Sequence, residues 1–421
     1  MKKVYKDSVL SEQVVSAVLP NGLKILIAEK KDFKTNFVIF GTKYGSIDTA
    51  FSVNDGETIA VPEGIAHYLE HKLFESEDGD AFARFSETGA SANAFTSFDR
   101  TCYLFSCADR FEENLDILLD FVQSPYFTPK TVQKEQGIIG QEIRMYDDSP
   151  EWCVLFNMLE AMYEQHPVRI DIAGTVESIS HITAELLYDC YNAFYNPANM
   201  FVCIAGNVDA EKTIARIEKA IKPIPPVKLT RAAFSEKNSV KEQYVEKKME
   251  IAKPIFNFGF KEECVGERTP KECICSGLML DILAGDTSPL YEKLTEAGLI
   301  NDEFHSEYFQ GNDYAAAIFQ GESSDPKAVS EAICTEIERL KKEGISDNLF
   351  ESARRSLYGM AIKSYNNVES IAMNLVDCAM LDVGPFDDID IMRSITKADV
   401  EKRLELLNPE CSVLSVILPK R

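Results

Sequence analysis

The alternation of apolar and polar positions along the chain sketches its elements. An Asn-Gly pair, Asn21-Gly22, precedes the apolar run "LKILIAEK", the local signature of a turn feeding a strand. "TNFVIFGTKYGS" and "RTCYLFSC" predict two further strands. In "RFEENLDILLDFVQ", Phe111, Leu115, Leu118, Leu119 and Val122 recur at helical spacing on one face. Thr128 as N-cap, with Pro129 in the first turn, predicts a helix running to about Tyr146. Strands and amphipathic helices are thus mixed within one half of the sequence.

From "KAIKPIPPVKLT" to "EQYVEKKMEIAKP" the periodicity fades and Pro and Lys accumulate, as in an exposed linker. This divides the chain into residues 1–222, a linker at 223–246, and residues 247–421. Features recur in the same order on both sides of it. "SHITAELLYDCYNAFYNPANMFVCIAGN" is echoed by "RSITKADVEKRLELLNPECSVLSVILPK", with Thr183 and Thr396 as matching helix starts and Pro197 and Pro409 before matching strands. One fold unit is expected twice.

At 421 residues and 45% hydrophobic, the chain can bury two cores. No apolar stretch is long enough to cross a bilayer, and no apolar segment of signal-peptide type follows the basic start, so neither membrane insertion nor secretion is expected. Eleven cysteines without CxxC pairs read as reduced thiols of a cytoplasmic protein. A formal net charge of -24 argues against nucleic acid, whose binding rests on Lys and Arg releasing counterions. It favours cationic peptides, although solubility explains most of that charge.

Only five histidines occur, and two stand in "IAHYLEHKLFE". His67, Glu70 and His71 at i, i+3 and i+4 share one face if the segment is helical. Two imidazoles one turn apart can hold one Zn²⁺, and Glu70 can then act as general base. The plainer alternative is two histidines lining a half-exposed helix face. Catalytic zinc takes three protein ligands. Glu142, in "KEQGIIGQEI", is the candidate for the third. Glu135, seven residues earlier and so on the same face, is the candidate outer carboxylate that orients a histidine. Gly137 and Gly140 weaken that helix and so suggest the close approach of a neighbour. His166, His181 and His305 lack ligand-spaced companions and are expected to be structural, and Trp152 to be a packing anchor.

The inverted His-x-x-Glu-His order, with "KEQGIIGQEI" about seventy residues on, resembles the insulinase/pitrilysin zinc metallopeptidase family. "GASANAFTSFDRTCYLF", "HPVRIDIAGTVESISHIT" and "FYNPANMFVCIAGNV" extend the likeness over residues 16 to 210, and it continues more weakly to the end. The closest subgroup is the short bacterial one similar to mitochondrial processing peptidase. The resemblance implies an α+β chain of two tandem related domains, each a mostly antiparallel sheet flanked by helices, forming half of a clamshell. It implies one Zn²⁺ per chain on His67, His71 and Glu142, with Glu70 activating water, and peptide hydrolysis by a homodimer or by a heterodimer with a related subunit. It also implies that Asn93 and Ala94 lie on the edge strand to which a substrate peptide adds.

One departure stands out in "YEKLTEAGLINDEF". Leu294 occupies the place of the family's substrate-clamping arginine and Asn301 that of its tyrosine, unless a shift of a few residues puts Tyr308 or Tyr314 there. Without those donors the oxyanion loses electrostatic stabilisation commonly worth a few kcal/mol. The partner of a heterodimer would then supply them, or the chain works alone or as a homodimer with reduced activity; the alternative of another class is a weakly active or inactive peptide-binding or scaffolding subunit of a processing assembly. "GLMLDILAG" replaces the histidine cluster in the second half, which should hold no metal.

Overall fold

The structure, a computed structural model, describes residues 2–420 except 8, 78, 264, 265 and 267. Seven strands, β1 (Lys2–Asp7), β2 (Glu12–Val18), β3 (Lys24–Glu29), β4 (Asn36–Thr42), β5 (Ser91–Thr96), β6 (Thr101–Cys107) and β7 (Met200–Gly206), form one sheet in the order β1-β2-β3-β7-β4-β6-β5. Five more, β8 (Tyr244–Met249), β9 (Ile255–Lys261), β10 (His305–Gln310), β11 (Ala315–Glu322) and β12 (Ser412–Pro419), form a second in the order β8-β12-β9-β11-β10. Eight helices matter below: α1 (Ile65–Leu73), α2 (Phe111–Val122), α3 (Pro129–Asp147), α4 (Pro150–Met162), α5 (Ala184–Phe194), α6 (Pro270–Ala284), α7 (Val368–Leu381) and α8 (Lys397–Leu404).

The expected repeat is visible in the hydrogen-bond ladders. In the first sheet β7 runs parallel to β3, and every other pairing is antiparallel. In the second, β12 runs parallel to β8 and the rest are antiparallel. The run β3-β7-β4-β6-β5 therefore recurs as β8-β12-β9-β11-β10. Thr183 caps α5 by accepting from Leu186 N–H, and Thr396 caps α8 by accepting from Asp399 N–H. Pro197 and Pro409 each open a short 3-10 turn just before β7 and β12. Gly22 adopts φ 93° in the predicted turn ahead of β3, where a Cβ would lie 2.7 Å from that of Ala198.

Two compact units divide the chain, but not at a single point. One comprises residues 1–143, 171–233 and 361–387, and the other 144–170, 234–360 and 388–421. The chain thus passes between units five times, and only the passage at 233/234 falls within the expected linker. That segment is also less irregular than its composition suggests: Leu229–Arg231 pairs with Phe51–Val53, and β8 begins at Tyr244.

In the first unit one face of the sheet packs on α1, α2 and α5 around Phe40, Tyr68, Leu69, Phe105, Leu118 and Phe194. Its other face carries α7, which comes from late in the sequence. Arg100 anchors α7 through Asp377 at 2.6 Å, and Lys24 holds Asp382, just past its end, at 2.8 Å. In the second unit the sheet packs on α6 and α8 and carries α4 on its other face. Gly259 lets α4 approach, since a Cβ there would lie 2.7 Å from Met158 Sδ. Each sheet is therefore backed by a helix borrowed from the other half of the sequence. This exchange has no local signature, because the apolar residues of α4 and α7 show that each helix is buried but not on which sheet.

The long helix α3 forms as expected, with Thr128 Oγ1 accepting from Thr131 N–H at 3.2 Å. Its glycines do not serve the close approach anticipated for them. A Cβ on Gly137 or on Gly140 would meet nothing within 4 Å. The physical reason is that α1 meets α3 through long side chains, among them Tyr68 and His71, which hold the backbones a side chain apart. Gly137 therefore costs helix propensity without a packing return. Gly137→Ala is expected to stabilise the protein by roughly 0.5–1 kcal/mol in denaturant unfolding; a destabilised variant would show that this glycine has a neighbour after all.

Candidate metal centre

Helix α1 is only nine residues long and owes its stability to burial more than to propensity. Ile65, Ala66, Tyr68, Leu69 and Leu73 are all buried in the first core. It starts at Gly64, which has φ 86° and no side-chain cap. A Cβ there would lie 2.3 Å from the Ala173 carbonyl oxygen, and one on Gly174, at φ 71°, would lie 2.6 Å from the Glu63 carbonyl oxygen. Two backbones thus touch where only glycines fit, and this fixes the entry of α1. Neither glycine has a local sequence signature, because each is required only by the backbone it touches from the other segment. Tyr68 OH then donates to the Val132 carbonyl of α3 and pins the two helices together.

The pairing of α1 with α3 brings the predicted residues together. His67 Nε2 lies 3.7 Å from Glu142 Oε1, and His71 Nε2 lies 3.4 Å from Glu142 Oε2. The imidazole rings meet edge to face with centroids 4.6 Å apart. One ligand atom from each of His67, His71 and Glu142 falls within 4.8 Å of the other two, and no other such group occurs among the described residues. Glu135 Oε1 stands 3.2 Å from His71 Nδ1. Glu70 is 7% exposed, one residue before His71 on α1.

The electrostatics follow from burial. His67 is pushed down to about 3, first by desolvation and then by the neighbouring His71, so its ring is neutral. Its Nδ1 has no hydrogen-bond partner among the described residues. Burial alone would lower His71 as well, but the hydrogen bond it donates to Glu135 and the charges of Glu70 and Glu142 outweigh it and raise the group above its ordinary value. The same contact with His71 overcomes burial at Glu135 and holds that carboxyl low. Glu70 is raised, mainly by desolvation, with a hydrogen bond from Thr96 and the charge of His71 opposing.

The donor set fits zinc. Tetrahedral Zn²⁺ with bonds of about 2.0–2.1 Å keeps its ligand atoms about 3.4 Å apart, which matches the separations of 3.4 and 3.7 Å here. Engaging Nδ1 of His71 with Glu135 directs its Nε2 lone pair to the same point as the neutral ring of His67. Among the described residues of the second unit there is no group of this kind. There α6 and α8 enclose Arg403, whose guanidinium donates to Glu262 at 2.5 Å, to Tyr308 OH at 2.9 Å and to Ser276 Oγ at 2.7 Å.

The remaining sequence candidates are placed as follows. Asn93 and Ala94 lie on β5, the edge strand of the first sheet, where Ala94 N–H donates to Asn93 Oδ1 at 2.9 Å. Leu294 is 1% exposed in the second core and has no donor to offer, and Asn301 Nδ2 donates to Glu322 at 2.8 Å. Tyr308 is engaged with Glu262 and Arg403, and Tyr314 is buried. His166 is buried and lies 3.0 Å from Asp313, whereas His181 and His305 are exposed. Trp152 stacks on Tyr146 with ring centroids 4.6 Å apart. Thr96, which no sequence motif singles out, donates from Oγ1 to Glu70 Oε2 at 2.7 Å.

Comparison with known proteins identifies the family. Residues 51–176 match the model for insulinase (peptidase family M16), and residues 181–357 that for the peptidase M16 inactive domain. A Bacillus subtilis protein named uncharacterized zinc protease YmfH is 43% identical over 94% of both chains. The crystal structure of an M16-like peptidase from Alicyclobacillus acidocaldarius superimposes with a TM-score of 0.93 at 34% identity, covering 97% of this chain and 99% of that one. Pitrilysin shares the fold, with a TM-score of 0.74 at 17% identity, and this chain covers 46% of its length. Matched in both halves, and almost end to end by its relatives, the chain belongs to the insulinase/pitrilysin family of zinc metallopeptidases, in its short bacterial subgroup.

Proposed function

We propose that the chain is a zinc-dependent endopeptidase acting on extended peptides or unfolded segments, and that it is the metal-bearing member of a dimer. The convergence of His67, His71 and Glu142 on one point, with Glu70 beside them on α1, carries this reading. When bound, zinc supplies Lewis acidity, acidifying a water and polarising the scissile carbonyl. His67, His71 and Glu142 would hold it, and Glu135 fixes the tautomer and the ring direction of His71.

Glu70 is the proton carrier. Its burial raises the carboxyl toward working pH, where a general base is most effective. It takes the proton of the attacking water and returns it to the leaving amide nitrogen. The peptide lies along β5, adding a strand to the free edge through main-chain hydrogen bonds. Asn93 Oδ1 already accepts the N–H of Ala94, as an incoming carbonyl would, so Asn93 swings aside when a peptide docks there. Free thiols at all ten described cysteines support a reducing compartment such as the cytoplasm.

Pairing is supported by length and by the missing donors. Pitrilysin is about twice as long as this chain, which covers 46% of it. With Leu294 buried and Asn301 bonded to Glu322, a related subunit would supply the clamping donors, whereas a second copy of this chain carries the same two residues and would work without them. Those same two residues favour a second reading, in which the chain binds peptides within a processing assembly and turns over little. Fluorogenic peptides separate the two: chelator-sensitive hydrolysis by the isolated chain, with a solution mass of two chains, supports the first reading. Hydrolysis that appears only with an added relative supports the heterodimer, and none under either condition supports the second reading.

Glu70→Gln should lower kcat by at least about 100-fold, with zinc content by elemental analysis unchanged; a variant that keeps its activity would remove Glu70 from the mechanism. The titration of the ligands gives another expectation. His71 is raised, so below its pKa zinc must displace one proton from the metal-free chain, and affinity falls as pH falls. His67, at about 3, contributes none above that range. Zinc affinity by competitive chelation should therefore drop about tenfold per pH unit from the pKa of His71 down to about pH 5 and level off above it. A slope of two protons in that window would show that His67 also binds a proton there.

A further inference from the structure

We propose that Thr96 is a positioning residue for Glu70, so that the strand expected to receive the substrate peptide also sets the orientation of the general base. The proposal rests on the assignment of Glu70 as that base. On β5, Ala92, Ala94 and Thr96 alternate onto one face of the sheet. The two alanines pack against the first core, and β5 lies against α1. Thr96 Oγ1 reaches Glu70 Oε2 at 2.7 Å, and among the described residues it is the only hydrogen-bond donor to that carboxylate.

The hydroxyl is itself held in place. Thr96 is paired in register with Thr101, a fully buried residue whose Oγ1 donates to the Tyr44 carbonyl at 2.9 Å. The two hydroxyl oxygens are 3.4 Å apart. A hydroxyl has one proton to give. With the proton of Thr101 committed to Tyr44, that of Thr96 is directed to Glu70.

The last torsion of a glutamate is broad and roughly two-fold. Without a partner, the Glu70 carboxylate could rotate or withdraw along its buried side chain. Fixing Oε2 leaves Oε1 as the oxygen that exchanges a proton. Because the fixing group belongs to β5, any peptide that aligns with the edge is registered against the same backbone that holds the base. A threonine there only to fill space would be replaced by valine, of the same shape, without effect on Glu70.

The test compares the full-length wild type, Thr96→Val and Thr96→Ser by peptide hydrolysis, zinc content and crystal structure. Thr96→Val should keep its zinc and its melting temperature, lose roughly 10–100-fold in kcat and leave KM within about twofold. Thr96→Ser, which restores the hydroxyl, should recover most of the loss. Crystals of the wild type and the valine variant should show the Glu70 carboxylate leaving its place only in the variant. Glu70 unmoved in Thr96→Val, or a valine variant with wild-type kcat, overturns the proposal. A wild type without chelator-sensitive hydrolysis, both alone and with an added relative, contradicts the proposed function instead, and the crystal comparison then decides the role of Thr96 alone.

Discussion

Everything functional in this molecule depends on one helix-helix contact. Alone, α1 offers two imidazoles and α3 a pair of carboxylates seven residues apart, and neither set is a site. Their packing converts them into three donors around one point. Buried groups make that contact. Tyr68 ties α1 to the Val132 carbonyl, His71 meets Glu135, and the glycine pair Gly64 and Gly174 sets the direction in which α1 leaves the loop. Dispersed in water the same residues would be solvated and unremarkable. Held a side chain apart in a low-dielectric setting, they give one neutral imidazole, one imidazole raised above its ordinary value by its carboxylate neighbours, and a carboxyl raised by burial.

The two units show how one topology serves different ends. Both carry the five-strand run with a single parallel pairing, and both place a helix against the strand at the free edge. In the first unit that helix, α1, carries the histidines. In the second, α6 faces a buried ion cluster of Arg403, Glu262 and Tyr308 whose hydrogen bonds are turned inward. Such a cluster is satisfied within the protein and has little to offer a ligand. The second unit thus reads as a scaffold, which accords with Leu294 lying in its core.

Much of this was legible from the residues, and the parts that were not share a cause. Local signals sufficed for the turn at Gly22, the start of α3 at Thr128, the matching caps at Thr183 and Thr396, and the sharing of one face by His67 and His71 and of another by Glu135 and Glu142, because spacing along a helix determines which side chains share a face; that the two faces meet is a tertiary fact. The exchange of α4 and α7 between the sheets could not be read, since amphipathicity says that a helix packs but not where. The glycines of α3 misled for a related reason: low propensity signals an exception without saying which one, and here no neighbour fills the space. Thr96 was overlooked although it sits beside Asn93 and Ala94. Its hydroxyl acquires meaning only from Glu70, twenty-six residues away and on another element.

The most direct test of the account is a crystal structure of the zinc-loaded protein, with the metal located by its anomalous scattering. The account predicts one zinc per chain, bound by Nε2 of His67, Nε2 of His71 and a carboxylate oxygen of Glu142 at about 2.0–2.2 Å, with Glu135 still on Nδ1 of His71. Zinc bound elsewhere, or bound between the histidines with Glu142 turned away, would contradict it.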